Sequence, residues 1–126
     1  MTALRMPKIG RVFRSSDGTY DVGPIPDLGG PFETATEFFK AWAAQAKFPT
    51  LEETIRKMIG GDVVEEVLSS IRSFPTRIQS LAGLLSAHDT GPFPIYHPDL
   101  FQHNVIVDDD FDVLAVINWQ GTYTVP

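Results

Sequence analysis

The polar side chains best placed for chemistry lie in the last third of the chain, in Tyr96-His97-Pro98-Asp99-Leu100-Phe101-Gln102-His103-Asn104. Asp99 and Asn104 are separated by four residues, and His97 stands two before Asp99. Phosphoryl transfer from a nucleotide uses that spacing. The carboxylate accepts the proton of the attacked hydroxyl, and the amide oxygen helps hold the magnesium that neutralises the phosphates. The same chemistry wants a second carboxylate at the end of the next apolar run. In Val113-Leu114-Ala115-Val116-Ile117-Asn118-Trp119-Gln120 that place holds Asn118.

Other readings compete for these residues. His97, Asp99 and His103 are a zinc-type ligand set, since imidazole and carboxylate suit that ion. His97-Pro98-Asp99 is the tripeptide that the J-domain of Hsp70 co-chaperones carries between two helices. In the plainest alternative, Asp99 caps a turn and Asn104 bonds local backbone. The joint spacing, together with β-branched runs after the loop, favours the phosphoryl-transfer layout over each of these.

Those residues need a scaffold, and the upstream chain reads as one. Ile9 to Arg14 and Thr19 to Val22 flank Ser15-Ser16-Asp17-Gly18, a hairpin with an Asp-Gly turn. Gly23 to Phe32, with three prolines and three glycines, is a connector. Its Gly29-Gly30 pair lacks the feeding strand, following Lys and spaced glycines of a phosphate cradle.

Four helices are then expected. Thr34 and Glu37 form a capping box ahead of Ala35, Phe38, Phe39, Trp42, Ala43 and Ala46, one apolar face on which Trp42 reads as core rather than a ligand-stacking ring. Thr50 and Glu53 make a second box before Leu51, Ile55, Met58 and Ile59, closed by Gly60-Gly61. Asp62 and Glu65 cap a third helix, which Phe74-Pro75 should stop. A fourth runs from about Pro75 to Ala87, with Ile78, Leu81, Ala82 and Leu85 together. After a Gly/Pro break, Ile95 and Tyr96 form a strand stub. Val105 to Val107 and Val113 to Ile117 then form a hairpin presenting the polar loop at one end. Between them, Asp108-Asp109-Asp110 lacks the alternating ligands, Gly and distant Glu of a calcium loop and reads as a solvated turn.

Composition narrows the function. The 126 residues fit at most one domain, smaller than the roughly 250 of a two-lobed kinase-like enzyme. Sixteen acidic against 10 basic residues give a net charge of −6 without a basic cluster, which argues against nucleic acid as a partner. The absence of cysteine excludes thiolate catalysis and Cys-ligated zinc. Without an apolar run of about 18 residues no membrane span is expected, and Met1 to Arg11 has no signal-peptide core, so the cytoplasm is the expected compartment.

Taken in order, His97-Pro98-Asp99 through Asn104, then Asn104-Val105-Ile106-Val107-Asp108, then Ile117-Asn118-Trp119-Gln120 resembles the catalytic segment of the aminoglycoside/choline phosphotransferase family. That family shares the protein-kinase fold and carries His-x-Asp-x-x-x-x-Asn followed by a strand, a turn and a strand ending Ile-Asp-Trp-Glu. Val22-Gly23-Pro24-Ile25 and Gly30-Pro31-Phe32 are similar to fungal members. The resemblance implies an α+β fold, part of a kinase-like helical C-lobe with an N-terminal β-hairpin. It implies a single partial domain over 1–126, without the nucleotide-binding β-lobe and the C-terminal helices. It implies Asp99 as catalytic base, His97 bracing the loop, Asn104 and Asn118 at the metal-ligand positions, Mg2+ and ATP as cofactors, and a small-molecule hydroxyl as substrate. Asn118 and Gln120 replace the family's acids with amides. An amide offers magnesium an oxygen without charge, so the implied ancestry is ATP-dependent transfer and the implied present state is inactive, or a non-catalytic binding module.

Overall fold

The computed structural model describes residues 4–126, a mixed α+β arrangement with three helices and an antiparallel sheet. The strands are β1 (Arg5–Met6), β2 (Arg11–Arg14), β3 (Tyr20–Gly23), β4 (Phe93–Tyr96), β5 (Val105–Val107), β6 (Val113–Val116) and β7 (Tyr123–Thr124). The helices are α1 (Ala35–Gln45), α2 (Glu52–Ile59) and α3 (Val63–Leu81). Five strands form one sheet in the order β1-β4-β7-β2-β3, and β5 and β6 form a separate hairpin.

The expected first hairpin is present. Val12 pairs with Val22 and Phe13 with Asp21, and Gly18 supplies the positive φ of 88° that the turn requires. Asp17 Oδ1 accepts from the Thr19 amide at 3.0 Å, an Asx turn that fixes the reversal. The first strand begins at Arg11 rather than Ile9. Ile9 instead exchanges hydrogen bonds of 2.9 and 2.8 Å with Phe32, and this bridge buries it.

Helix α1 starts where the sequence places it. The Glu37 amide donates to Thr34 Oγ1 at 3.1 Å, and Glu37 Oε2 accepts from the Thr34 amide at 3.3 Å, completing the capping box. A distant residue adds to it: the Ala35 and Thr36 amides donate to the Asp89 carbonyl and carboxylate, each at 2.8 Å. Ala35 then packs with Ile9 and Phe93 in the core, bordered by Phe32, Phe38 and Phe39.

The other two expected caps do not form. The N-cap of α2 is Leu51, which has no side-chain oxygen to offer, and Glu53 pairs with Lys57 at 2.6 Å instead of reaching back. Asp62 does precede α3, but its backbone is already helical (φ −69°, ψ −20°), so its carboxylate makes no cap bond. Glu65 pairs with Arg56 across the α2–α3 corner. Of the four apolar residues expected inward on α2, only Ile55 is buried.

The helix count is also corrected, from four to three among the described residues. Pro75 lies inside α3, which continues to Leu81 and then tightens into a 3-10 turn over Ala82–Leu84. Proline removes one donor from the helix but its φ is helical. Tertiary packing offsets the lost bond: Phe74 stands edge-on to Trp42 and Phe48, with ring centroids 5.9 and 5.4 Å away. Edge-to-face aromatic pairs contribute about 0.5–1.5 kcal/mol beyond their burial.

Strand β7 closes the sheet. Tyr123 pairs with both Tyr96 and Arg11, and Thr124 pairs with Ile95. Thr124 is 0% exposed. Its hydroxyl accepts from the Gly10 amide at 2.8 Å and donates to the Lys8 carbonyl at 2.6 Å. The close approach needs glycine, since a Cβ on Gly10 would lie 2.2 Å from the Gly23 carbonyl oxygen. Replacing Thr124→Val keeps the shape and strands both backbone groups, which costs about 1–3 kcal/mol. A urea titration should show the midpoint falling accordingly with an unchanged slope, and Thr124→Ser should recover most of the loss.

Candidate functional site

The polar loop hangs between β4 and β5. Tyr96 ends β4, residues 97–101 turn outward, and a 3-10 turn over Gln102–Asn104 feeds β5. β5 and β6 pair as expected, Val105 with Val116 and Ile106 with Ala115, with an irregularity before Val107. A hairpin here, not a continuous helix, rules out the J-domain reading, which needs helix on both sides of His97-Pro98-Asp99.

The loop is tied to the end of β6 through Ile117. Its amide donates to the Asn104 carbonyl at 2.9 Å. Its carbonyl lies 3.0 Å from His97 Nε2. The other ring nitrogen, Nδ1, accepts from the Asp99 amide at 3.1 Å. An imidazole that accepts at Nδ1 carries its proton on Nε2, so His97 donates to Ile117 and clamps the loop onto the hairpin. The ring is 7% exposed and meets Trp119 edge-on at 4.9 Å. With both nitrogens engaged, His97 has no lone pair for a metal, and the zinc reading fails on that ground. Among the described residues no group of three His, Cys, Asp or Glu side chains could hold a metal ion.

Asp99 and Asn104 meet directly. Asn104, 3% exposed, donates through Nδ2 to the Asp99 carbonyl and to Asp99 Oδ2, both at 2.7 Å. His103 Nε2 stands 3.1 Å from the same Oδ2. The bonds from His103 and then Asn104 hold the Asp99 carboxyl below its ordinary value. Asp99 and Asn104, which the sequence sets at phosphoryl-transfer spacing, are thus hydrogen-bonded to each other. His103, four residues from Asp99, reads in sequence as a zinc ligand, and the structure makes it a partner of the Asp99 carboxylate. The Ile117 backbone and the Trp119 ring, for which the loop sequence carries no signal, complete the clamp.

Asn118 follows the clamped Ile117 and so lies beside the loop, exposed, with φ of 61°. Asparagine tolerates that left-handed conformation better than most residues. The oxygens available for a magnesium ion here are two neutral amide oxygens and one carboxylate already receiving bonds from His103 and Asn104. Magnesium demands near-octahedral oxygen ligation, with carboxylates supplying the charge. The donor set does not fit it. The triple aspartate forms the acidic turn expected: Asp108 Oδ1 accepts from the amides of Asp110 and Asp112 at 3.0 and 2.9 Å.

Because Asp99 titrates below an unfolded aspartate, its ionised form contributes stability that is complete above the ordinary carboxylate value and lost as pH falls through the lowered one. A carboxyl titration followed by NMR should place the Asp99 midpoint below that of free aspartate, and His103→Ala should raise it. An unmoved midpoint in the variant assigns the shift elsewhere. Compared with family models, with curated proteins and with solved structures, the chain gives no match.

Proposed function

We propose that the chain is a non-catalytic relative of the aminoglycoside/choline phosphotransferases, built on the segment that in active members transfers phosphate from ATP to a small-molecule hydroxyl. The observation that carries the reading is the bonded set His97, Asp99, Asn104 and Ile117, in which a candidate base and amide are held at 2.7 Å on a loop braced by a tautomer-fixed histidine. A turn without such ancestry requires neither the histidine brace nor the hairpin that returns Asn118 to the loop. The kinase-like C-lobe fold belongs to this same proposal.

Two features support the inactive state. At Asn118, the second metal-ligand position that the family pattern implies, the chain has an uncharged amide, and metal neutralisation supplies several kcal/mol in such reactions, so a loss of even about 3 kcal/mol slows transfer by about 10²-fold. Two of the four lysines of this chain are also engaged elsewhere. Lys8, between β1 and β2, pairs with Glu33 at 2.7 Å; Lys57, on α2, pairs with Glu53. Lys40 lies on α1, and Lys47 follows it. None stands on a strand in the manner of a phosphate-pairing lysine.

Thermal unfolding with and without magnesium and ATP tests the proposal. A ligand at about 100 times its Kd stabilises by about 2.7 kcal/mol, and one far below its Kd by nothing. The expected melting temperature is therefore unchanged. Asn118→Asp restores the carboxylate at nearly constant volume and in a backbone conformation aspartate also accepts. We expect no nucleotide binding from it either, because a repaired metal position leaves the phosphates without a pairing lysine. Magnesium-dependent stabilisation or ATP turnover by the unmodified chain overturns the inactive reading.

A further inference from the structure

Helix α2 is held to the rest of the molecule chiefly by charge. Among the described elements it packs closely only against α3. Ile55 is its one buried residue, and every other residue of the helix is exposed. What crosses the seam instead is a relay of four charges, from Arg72 to Glu52 to Arg56 to Glu65. Arg72 Nη2 donates to both carboxylate oxygens of Glu52, at 2.9 and 2.8 Å. Glu52 Oε1 also accepts from Arg56 Nε and Nη2, at 3.2 and 2.7 Å, and Arg56 Nη1 donates to Glu65 in the first turn of α3. Glu52 is the hub, and the bonds from Arg72 and then Arg56 hold its carboxyl below its ordinary value.

Little else grips the two ends of α2. Beyond its last residue the chain reverses through Gly60 and Gly61, at φ of 61° and 69°, with nothing within 4 Å of the place a Cβ would take on either. Ahead of it, residues 46–51 belong to no helix or strand. In that tether Phe48 stands edge-on to Phe74 and, with Trp42, walls a cavity of about 450 Å³. An isolated helix shorter than about 12–15 residues is marginal in water, so the eight residues of α2 stay helical only while docked.

We propose that α2 is an ion-latched strap: screening or breaking the relay through Glu52 and Arg56 releases α2 from α3 as a unit, unwinds it and slackens the Phe48 wall of the cavity, while the sheet stays closed. Exposed ion pairs stabilise little singly and are weakened by salt. With one apolar side chain behind them, that weakness makes the seam responsive. Salt acts in the opposite sense on the rest of the chain, because screening a net charge of −6 relieves its self-repulsion. Loosening confined to α2 is therefore the signature of the latch. The inference does not depend on the phosphotransferase reading, since it uses no residue of the polar loop.

Amide hydrogen exchange of the full chain in about 0.02 M and about 0.5 M sodium chloride tests it, because the Debye length falls from roughly 20 Å to roughly 4 Å between them. The amides of residues 55–59 should exchange at least about fivefold faster at the higher salt, with those of β2, β4 and β7 unchanged or slower. The nuclear Overhauser contact between the Phe48 and Phe74 rings should weaken in parallel. Arg72→Met cuts the relay on the α3 side, keeps an aliphatic stem and should loosen α2 already at the lower salt. Glu52→Gln is the parallel test should the first variant lose its circular dichroism. Lys57→Met breaks only the pair with Glu53 inside α2 and should leave the salt response in place. Exchange in α2 that ignores salt, loosens together with the sheet, or answers Lys57→Met as strongly as Arg72→Met overturns the proposal, as does a Phe48–Phe74 contact indifferent to salt.

Discussion

One buried hydroxyl group completes the junction between the two halves of the sheet, beside the backbone bonds of Val12 to Thr122 and of Thr124 to Gly10. Thr124 lies at the centre of the five-strand order, and its side chain satisfies the Gly10 amide on one side and the Lys8 carbonyl on the other. A buried, unpaired backbone group costs as much as the bond it lost, so the N-terminal hairpin can sit against β7 only if something answers those groups. Valine, the usual tenant of a buried strand, has nothing to offer them. The chain's small apolar core, Ile9 with Ala35 and Phe93, draws its residues from both sides of this junction.

The same junction shapes the candidate site. Tyr96 and Tyr123 are cross-strand partners, so residues 97–122 form a single excursion whose two ends are pinned together. Within it, His97 and Ile117 make the inner tie, and Asn104 bonds to Asp99 beyond that. Rigidity is thus inherited inward, from the buried sheet to the half-buried loop. Thr122, also buried, passes the constraint on by donating to the Trp119 carbonyl at 2.6 Å, next to the ring that packs against His97.

Sequence made the local parts of this legible. The Asp17-Gly18 turn, the Thr34–Glu37 box, the Gly60-Gly61 stop with φ of 61° and 69°, and the β5–β6 pair all follow from residues within a few positions of one another. The separation of Asp99 and Asn104 is equally local, and the structure turns it into a direct hydrogen bond. The failures share the opposite cause. Pro75 reads as a stop until Phe74 is seen between Trp42 and Phe48, which come from elsewhere in the chain. Thr50 with Glu53 reads as a capping box, yet the helix begins at Glu52 with Leu51 as its N-cap, one residue too late for Thr50 to serve. β7 is two residues long and gives no periodic signal at all. The bond from His97 reaches a backbone carbonyl twenty positions away, and a carbonyl has no letter in a sequence.

The placement of β7 has a kinetic side. Gly10 and Thr124 are 114 positions apart, while the β2–β3 and β5–β6 hairpins and the three helices close loops of only a few residues. Closing a long loop must be accomplished before its contacts return anything, and topologies dominated by such pairings fold slowly. The local pieces can therefore assemble while the slot between β2 and β4 stands empty. Topology therefore sets the entry of Tyr123 and Thr124 into that slot among the late, non-local closures of folding. Until it occurs, the loop bearing Asp99 has a formed hairpin beneath it but no fixed orientation relative to the rest of the molecule.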